Sequence, residues 1–258
     1  MTPLVRYERD GHIATITYDR PEKLNAINAA LRVDLNAAWE RFRDDEDAWV
    51  GIVTGAGRAF CVGADLADGA GAAGSWPGSF WEIPTINSFE SGLEVWKPTI
   101  AAVNGYCLGY GLTAVSACDF VIAADDAEFG MPEVRLGVPT IVGAMRLPRR
   151  IAMQHALELL LTGDRIDAAR ALEVGLAWKV VPRADLLTEA RLLADRLCQG
   201  APLAVRAVNE MAHRGSHMPW EDAVRMGEAM RRVVGATDDA DEGMHATAER
   251  RSPRWTGR

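Results

Sequence analysis

Between Pro98 and Ala124 the chain carries one charged residue, Asp119, and this run limits the possible folds more than any other segment. By length and hydropathy it could pass for a membrane span. Pro98 opens it, however, and Asn104, Gly105, Gly109 and Gly111 interrupt it. A buried strand over Thr99–Val103, a turn, a helix from Gly109 to Ala117 and a second strand over Phe120–Ala123 account for the same residues without a bilayer. Strand and helix then alternate as they do in layered α/β folds.

The flanking sequence repeats that alternation. Two alternating segments, 5–9 and 12–18, surround Asp10-Gly11 and predict a hairpin. Leu31, Leu35, Ala38, Trp39 and Phe42 fall at helical spacing between Asn28 and Phe42, and Trp49 to Thr54 follows as a short buried strand. Residues 67–92 are rich in Gly, Ala and Ser and read as a loop or lid, in which Trp76, Phe80 and Trp81 either line a pocket or staple the loop to the core. Beyond residue 145 the spacing is helical over 151–161, 168–174, 185–198, 203–211 and 220–234, with one strand at Trp178–Val181. The last stretch, Thr237 to Arg258, is charged and poorly periodic, and reads as a flexible tail or a docking segment.

Composition excludes several functions. With 258 residues, 48% of them apolar, the chain can bury a large core. A formal charge of −8 argues against a nucleic-acid or anionic-membrane surface, so an anionic ligand must meet a local site. Cys61, Cys107, Cys118 and Cys198 lie in apolar contexts without a Cys-x-x-Cys pair, as expected of reduced thiols in the cytoplasm, and the N-terminus has no apolar run of signal-peptide length. The five histidines lack metal-ligand spacing, so no metal is expected. There is no Gly-x-Ser-x-Gly elbow, which disfavours acyl-enzyme chemistry.

The chemistry is concentrated in two glycine-containing turns after buried strands. In Gly57 to Leu66, small residues let backbone amides approach a ligand, and Asp65 can brace the turn. In Asn104 to Gly111, the glycines open a helix whose exposed amides stabilise negative charge. Some twenty residues later comes Phe129-Gly130-Met131-Pro132-Glu133. Taken alone, Glu133 reads as a solvated loop carboxylate. Arg20 to Ala26, Asp119 to Ala123, Leu161-Thr162-Gly163 and Ala168 to Gly175 complete a pattern that resembles the crotonase superfamily, the enoyl-CoA hydratase/isomerase family.

That resemblance implies an α/β fold, a spiral of ββα units forming an acyl-CoA-binding core over 1–199. A helical C-terminal region and tail would follow over 200–258, forming homotrimers or a hexamer made of two trimers. It implies no permanently bound cofactor, coenzyme A entering only as part of the substrate, with no nucleic acid or membrane partner. It places the oxyanion hole on the amides of Ala64 and Gly109, and coenzyme A contacts on Lys23, Leu24, Ala26, Val62, Asp65 and Leu66. Tyr106, Leu108 and Pro132 would lie beside the acyl end, with Glu133 as the catalytic acid/base. The chain departs from the family at Thr113, four residues after Gly109, where two-glutamate hydratases carry their first glutamate. It departs again at Tyr110, in place of the middle glycine of a Gly-Gly-Gly entry, and at Gly137 to Gly143, in place of a Gly-x-x-Pro-Gly-x-Gly-Gly segment. One carboxylate suffices to move a proton between C2 and C4 of an enoyl thioester, so double-bond isomerisation is favoured over simple hydration. A hydratase-lyase reaction, or a weakly catalytic coenzyme A-binding scaffold, are the alternatives. For Tyr110 a packing role is favoured.

Overall fold

The computed structural model describes residues 3–68 and 88–258. In chain order the chain forms β1 (Val5–Asp10), β2 (Ile13–Tyr18), α1 (Ala29–Asp44), β3 (Val50–Gly55), β4 (Ala59–Cys61), β5 (Thr99–Val103), β6 (Tyr106–Leu108) and α2 (Tyr110–Val115). It continues with β7 (Phe120–Ala124), β8 (Glu128–Gly130), α3 (Val142–Arg150), α4 (Met153–Thr162), β9 (Arg165–Asp167), α5 (Ala168–Glu173) and β10 (Lys179–Val181). Helices α6 (Leu186–Leu197), α7 (Pro202–Gly215), α8 (Trp220–Val234) and α9 (Asp238–Glu249) complete it.

Two sheets organise these elements. One has six strands in the order β1-β2-β3-β5-β7-β10, and the other has four in the order β4-β6-β8-β9. β3, β5 and β7 run parallel in the first sheet, and the strands that follow them, β4, β6 and β8, run parallel in the second. Each unit therefore gives one strand to each sheet and turns a corner of two or three residues between them. Repetition of that step winds the chain into a spiral of ββα units.

The uncharged run exists because the large sheet is covered on both faces. Along β5, Ala101 and Val103 face a core shared with α1, while Ile100 and Ala102 face a second core closed by α6. β7 divides in the same way, with Val121 and Ala123 on one side and Ile122 and Ala124 on the other. Ile100 and Ile122 are fully buried, and each contributes about 1.5–3 kcal/mol by leaving water. α1 begins where the Asn28 side chain accepts the Leu31 N–H, and it presents Leu31, Leu35, Ala38, Trp39 and Phe42 inward.

The corners are held by buried amides. Asn104 Nδ2 donates to the carbonyls of Gly55 and Gly57 at 2.8 and 2.9 Å, and its Oδ1 accepts the Gly55 N–H at 3.3 Å. Asn25, fully buried in the left-handed region, donates to Ala56 and Ala59 at 3.0 and 2.8 Å. The two asparagines tie the β3–β4 corner to the β5–β6 corner and to the loop after β2.

The structure changes several expectations. β4, β6, β8 and β9 have three residues each, too few for alternation to show, so their segments read as turns from sequence. α2 is shorter than expected, and α3 is an additional helix within 137–150. The tail is not loose. Thr237 caps α9, and the buried Asp239 carboxylate accepts the N–H groups of Thr256 and Gly257 at 2.7 and 2.9 Å. Trp255 packs against the second core and donates to the Gln199 carbonyl. Local sequence could not reveal a segment ordered by a distant carboxylate. α7 is fastened to the sheet by His213, which meets Asp119 at 2.8 Å, while Asp119 accepts from the Thr99 amide and hydroxyl. Most of the 67–92 loop, with Trp76, Phe80 and Trp81, lies outside the described residues, but Phe89 stacks on Trp39 at its end. Among the described residues no helix is long and apolar enough to cross a membrane.

Replacing Asn104 with Ala strands the Gly55 and Gly57 carbonyls, and urea unfolding should show a loss of about 2–4 kcal/mol. Deletion of residues 251–258 should lower the thermal midpoint by several degrees, because it uncovers Asp239 and part of the second core. An unchanged midpoint would restore the loose-tail reading.

Candidate active site

The two corners bring both glycine turns to one place. Ile27 bridges Ala64 in parallel, the Ile27 N–H going to the Gly63 carbonyl and the Asp65 N–H to the Ile27 carbonyl. In such a bridge the middle residue's own amide points to the opposite side, so the Ala64 N–H faces away from residue 27. Next to it, a Cβ on Gly63 would stand 3.3 Å from the Leu108 carbonyl and 3.6 Å from the Tyr110 nitrogen. The 62–66 turn therefore packs directly on the entry to α2.

At that entry the structure corrects one expected donor. The Gly109 N–H is spent on the Gly130 carbonyl at 2.9 Å, a bond that ties the start of α2 to the end of β8. The next amide, that of Tyr110, is the first of the helix and has no acceptor among the described residues. Among the described residues the free amides here are thus those of Ala64 and Tyr110, not Ala64 and Gly109. The Tyr110 side chain turns into the core beneath the Arg32 guanidinium, in agreement with a packing role.

Glu133 lies on the open side of this entry. It sits in the short 3-10 helix Pro132–Leu136, which Gly137 closes in a left-handed conformation. Its Oε1 is 3.0 Å from where a Cβ on Gly109 would be, so only glycine lets the carboxylate come so close. Oε2 is buried with no hydrogen-bond partner among the described residues. Burial pushes the Glu133 pKa up, opposed only in part by its own backbone N–H. A carboxylate held in this way is poised to take and return a proton.

Thr113, one helical turn into α2, is buried, and its hydroxyl donates to the Gly109 carbonyl at 3.3 Å. It therefore adjoins the same glycine. Leu108 is buried at the end of β6, and Pro132 starts the helix carrying Glu133. Tyr106, at the opposite end of β6 from Gly109, lies against the Arg165 guanidinium.

The expected coenzyme A contacts gather on one rim. Val62 N–H donates to the Leu24 carbonyl at 3.3 Å, so Lys23, Leu24 and Ala26 border the Val62–Leu66 turn. Lys23 is exposed, as is Leu66 at 65%. Asp65 braces the turn through a 2.6 Å pair with Arg20, whose hydrogen bond holds the Asp65 carboxyl below its usual range. Arg20, Asn25 and Asn104 were not singled out as site residues from sequence. An asparagine at a strand end inside an otherwise apolar run was the available signal for Asn104. Among the described residues, no three His, Cys, Asp or Glu side chains gather as metal ligands would.

Comparison with known proteins fits this arrangement. The family model described as enoyl-CoA hydratase/isomerase matches residues 8–258. Carnitinyl-CoA dehydratase of Escherichia coli is 40% identical over 268 residues, covering 100% of both chains. The (E)-benzylidenesuccinyl-CoA hydratase of Thauera aromatica is 36% identical over 261 residues, covering 98% of this chain and 99% of its own. The crystal structure of enoyl-CoA hydratase from Mycobacterium tuberculosis superposes with a TM-score of 0.90 at 36% identity, over 99% of this chain and 100% of that one. A chain that forms a ββα spiral with its turns gathered beside a half-buried glutamate, and that is matched over nearly its whole length, belongs to the enoyl-CoA hydratase/isomerase family, the crotonase superfamily of acyl-CoA enzymes.

Proposed function

We propose that this enzyme moves a proton on an acyl-CoA thioester with Glu133 as its single acid/base, and that double-bond isomerisation suits the site better than simple hydration. The observation that carries this reading is the half-buried Glu133, its Oε1 packed against Gly109 at the entry of α2 and its buried Oε2 without a partner among the described residues, while Thr113 and not a carboxylate stands one turn into the helix. Ala64 and Tyr110 amides would hold the thioester oxygen, stabilising the enolate formed when Glu133 takes the C2 proton. Glu133 then returns that proton at C4, and the double bond has moved without a second base. The raised pKa helps the first step, because a more basic carboxylate takes the C2 proton more readily.

Thr113 cannot replace a second carboxylate as a base, since a hydroxyl is far too weakly basic near neutral pH. That is why two-carboxylate hydration is the less fitting mechanism. A second reading, addition or removal of water, is favoured by the hydratase and dehydratase names carried by the relatives.

Glu133→Gln should lower kcat by about 10²- to 10⁴-fold on a 3-enoyl-CoA while coenzyme A binding persists. Full activity in that variant would remove Glu133 from the chemistry. In the wild type the acid limb of kcat/KM should lie above the ordinary carboxylate range, because the base works only when ionised. The same burial has a stability consequence. A folded pKa above the unfolded one means that stability falls as pH rises through the folded value. Glu133→Gln should therefore be more stable than wild type at pH 7, with the difference vanishing below the unfolded carboxylate pKa of about 4.3. Thermal midpoints measured across pH check this.

A further inference from the structure

The short helix Pro132–Leu136 that carries Glu133 has no buried residue, although Met131 just before it is fully buried. Its closing backbone bonds, from the Gly137 N–H to the Val134 carbonyl and from the Val138 N–H to the Glu133 carbonyl, stay within the segment. Apolar packing of its own side chains therefore does not fix where the helix lies. Among the described residues, the side-chain hydrogen bonds from it to another element are those of Arg135. Arg135 Nε donates to the Thr162 carbonyl at 2.9 Å, and Nη2 pairs with the Asp164 carboxylate. The stem crosses Gly163, which is left-handed at φ 68° and where a Cβ would stand 3.0 Å from Arg135 Cγ. The receiving turn is itself fixed, the Thr162 hydroxyl donating to the Glu158 carbonyl at 2.6 Å and accepting the Asp164 N–H at 3.0 Å.

That turn, between α4 and β9, also backs the other half of the site. Gly130 lies opposite Arg165 in the β8–β9 pair, and a Cβ on it would stand 3.2 Å from the Asp164 carbonyl. The Gly130 carbonyl in turn accepts the Gly109 N–H. Residues 162–165 thus touch both the strand that sets the α2 entry and the helix that sets Glu133. We propose that Arg135 is a positioning residue, clamping the Glu133 helix to the 162–165 turn so that the carboxylate stays against Gly109; its effect on turnover rests on Glu133 being the acid/base. An arginine suits this task because its planar fork meets a carbonyl and a carboxylate together, whereas an ammonium is a point charge. The ion pair is exposed and adds little to overall stability. What it sets is where the helix sits.

The charged groups on the elements around Glu133 are already paired: Arg135 with Asp164, Arg165 with Glu128, Glu158 with Arg170 and Asp65 with Arg20, while α2 carries none. Burial raises the Glu133 pKa and its own backbone N–H lowers it. Loss of the clamp lets water reach the carboxylate, so its pKa falls toward the ordinary value. Loss of a merely neighbouring cation would raise it.

The test follows the Glu133 carboxyl carbon by NMR across pH in protein labelled at glutamate, the signal being assigned by its absence in Glu133→Gln. In Arg135→Leu the titration midpoint should move down, and kcat on a 3-enoyl-CoA should fall about 10- to 100-fold, as for a misplaced catalytic group. KM should stay within about 3-fold, and the thermal midpoint within about 2–4 °C. Arg135→Lys should fall between wild type and Arg135→Leu in both midpoint and kcat. Should Arg135→Leu fail to fold, Asp164→Asn, which keeps the Thr162 bond, carries the same measurements with a smaller downward move expected. A midpoint that stays or rises overturns the proposal, as does full kcat in Arg135→Leu beside an inactive Glu133→Gln. A lowered midpoint together with a fully active Glu133→Gln would instead remove the proton-transfer role and leave the clamp standing.

Discussion

The site depends on a small set of buried amide hydrogen bonds at the corners between the sheets. Asn104 and Asn25 satisfy carbonyls of the β3–β4 corner that would otherwise be unpaired inside the protein. An unmet buried carbonyl costs about 1–3 kcal/mol, so the alternatives to this geometry are disfavoured at several points at once. The corners in turn fix the departure of β4 and β6, and hence the approach of the 62–66 turn to the entry of α2. Gly109 completes the assembly by donating its amide to β8, the strand that leads to Glu133.

On this frame the protein keeps one group in an unfavourable state. Glu133 is half-buried, its Oε2 has no partner among the described residues, and folding has raised its pKa, not lowered it. Asp65 shows the contrasting case in the same site, held low by Arg20 while it braces a turn. The two carboxylates are thus shifted in opposite directions, and their environments account for it. Thr113 is neutral at the entry of α2, where a second carboxylate would have raised the pKa of Glu133 further.

Much of the large sheet was legible because its strands are continuous apolar runs bounded by Gly, Pro and Asn, and because α1, α6 and α8 repeat at helical spacing. The second sheet was not legible, since three-residue strands carry no period. The α9 tail latch was missed because Asp239 and Thr256, the partners that order it, are 17 residues apart in a charged stretch. In the site, Glu133 and Ala64 were reached only through the family resemblance, since taken alone Glu133 reads as a solvated loop carboxylate. The choice between Gly109 and Tyr110 as amide donor could not be reached from sequence, because it turns on whether Gly130 offers its carbonyl.

The sequence by itself determined that the chain buries a layered α/β core and that its glycine turns follow buried strands, while its resemblance to a family marked Thr113 as standing where hydratases carry their first glutamate. Those properties are local in composition and spacing. Tertiary structure decided which amides are free, that burial raises the pKa of Glu133, and that Glu133 packs against Gly109. Such features depend on the partners and water that each group keeps after folding, and the elements meeting there are dozens of residues apart in the chain.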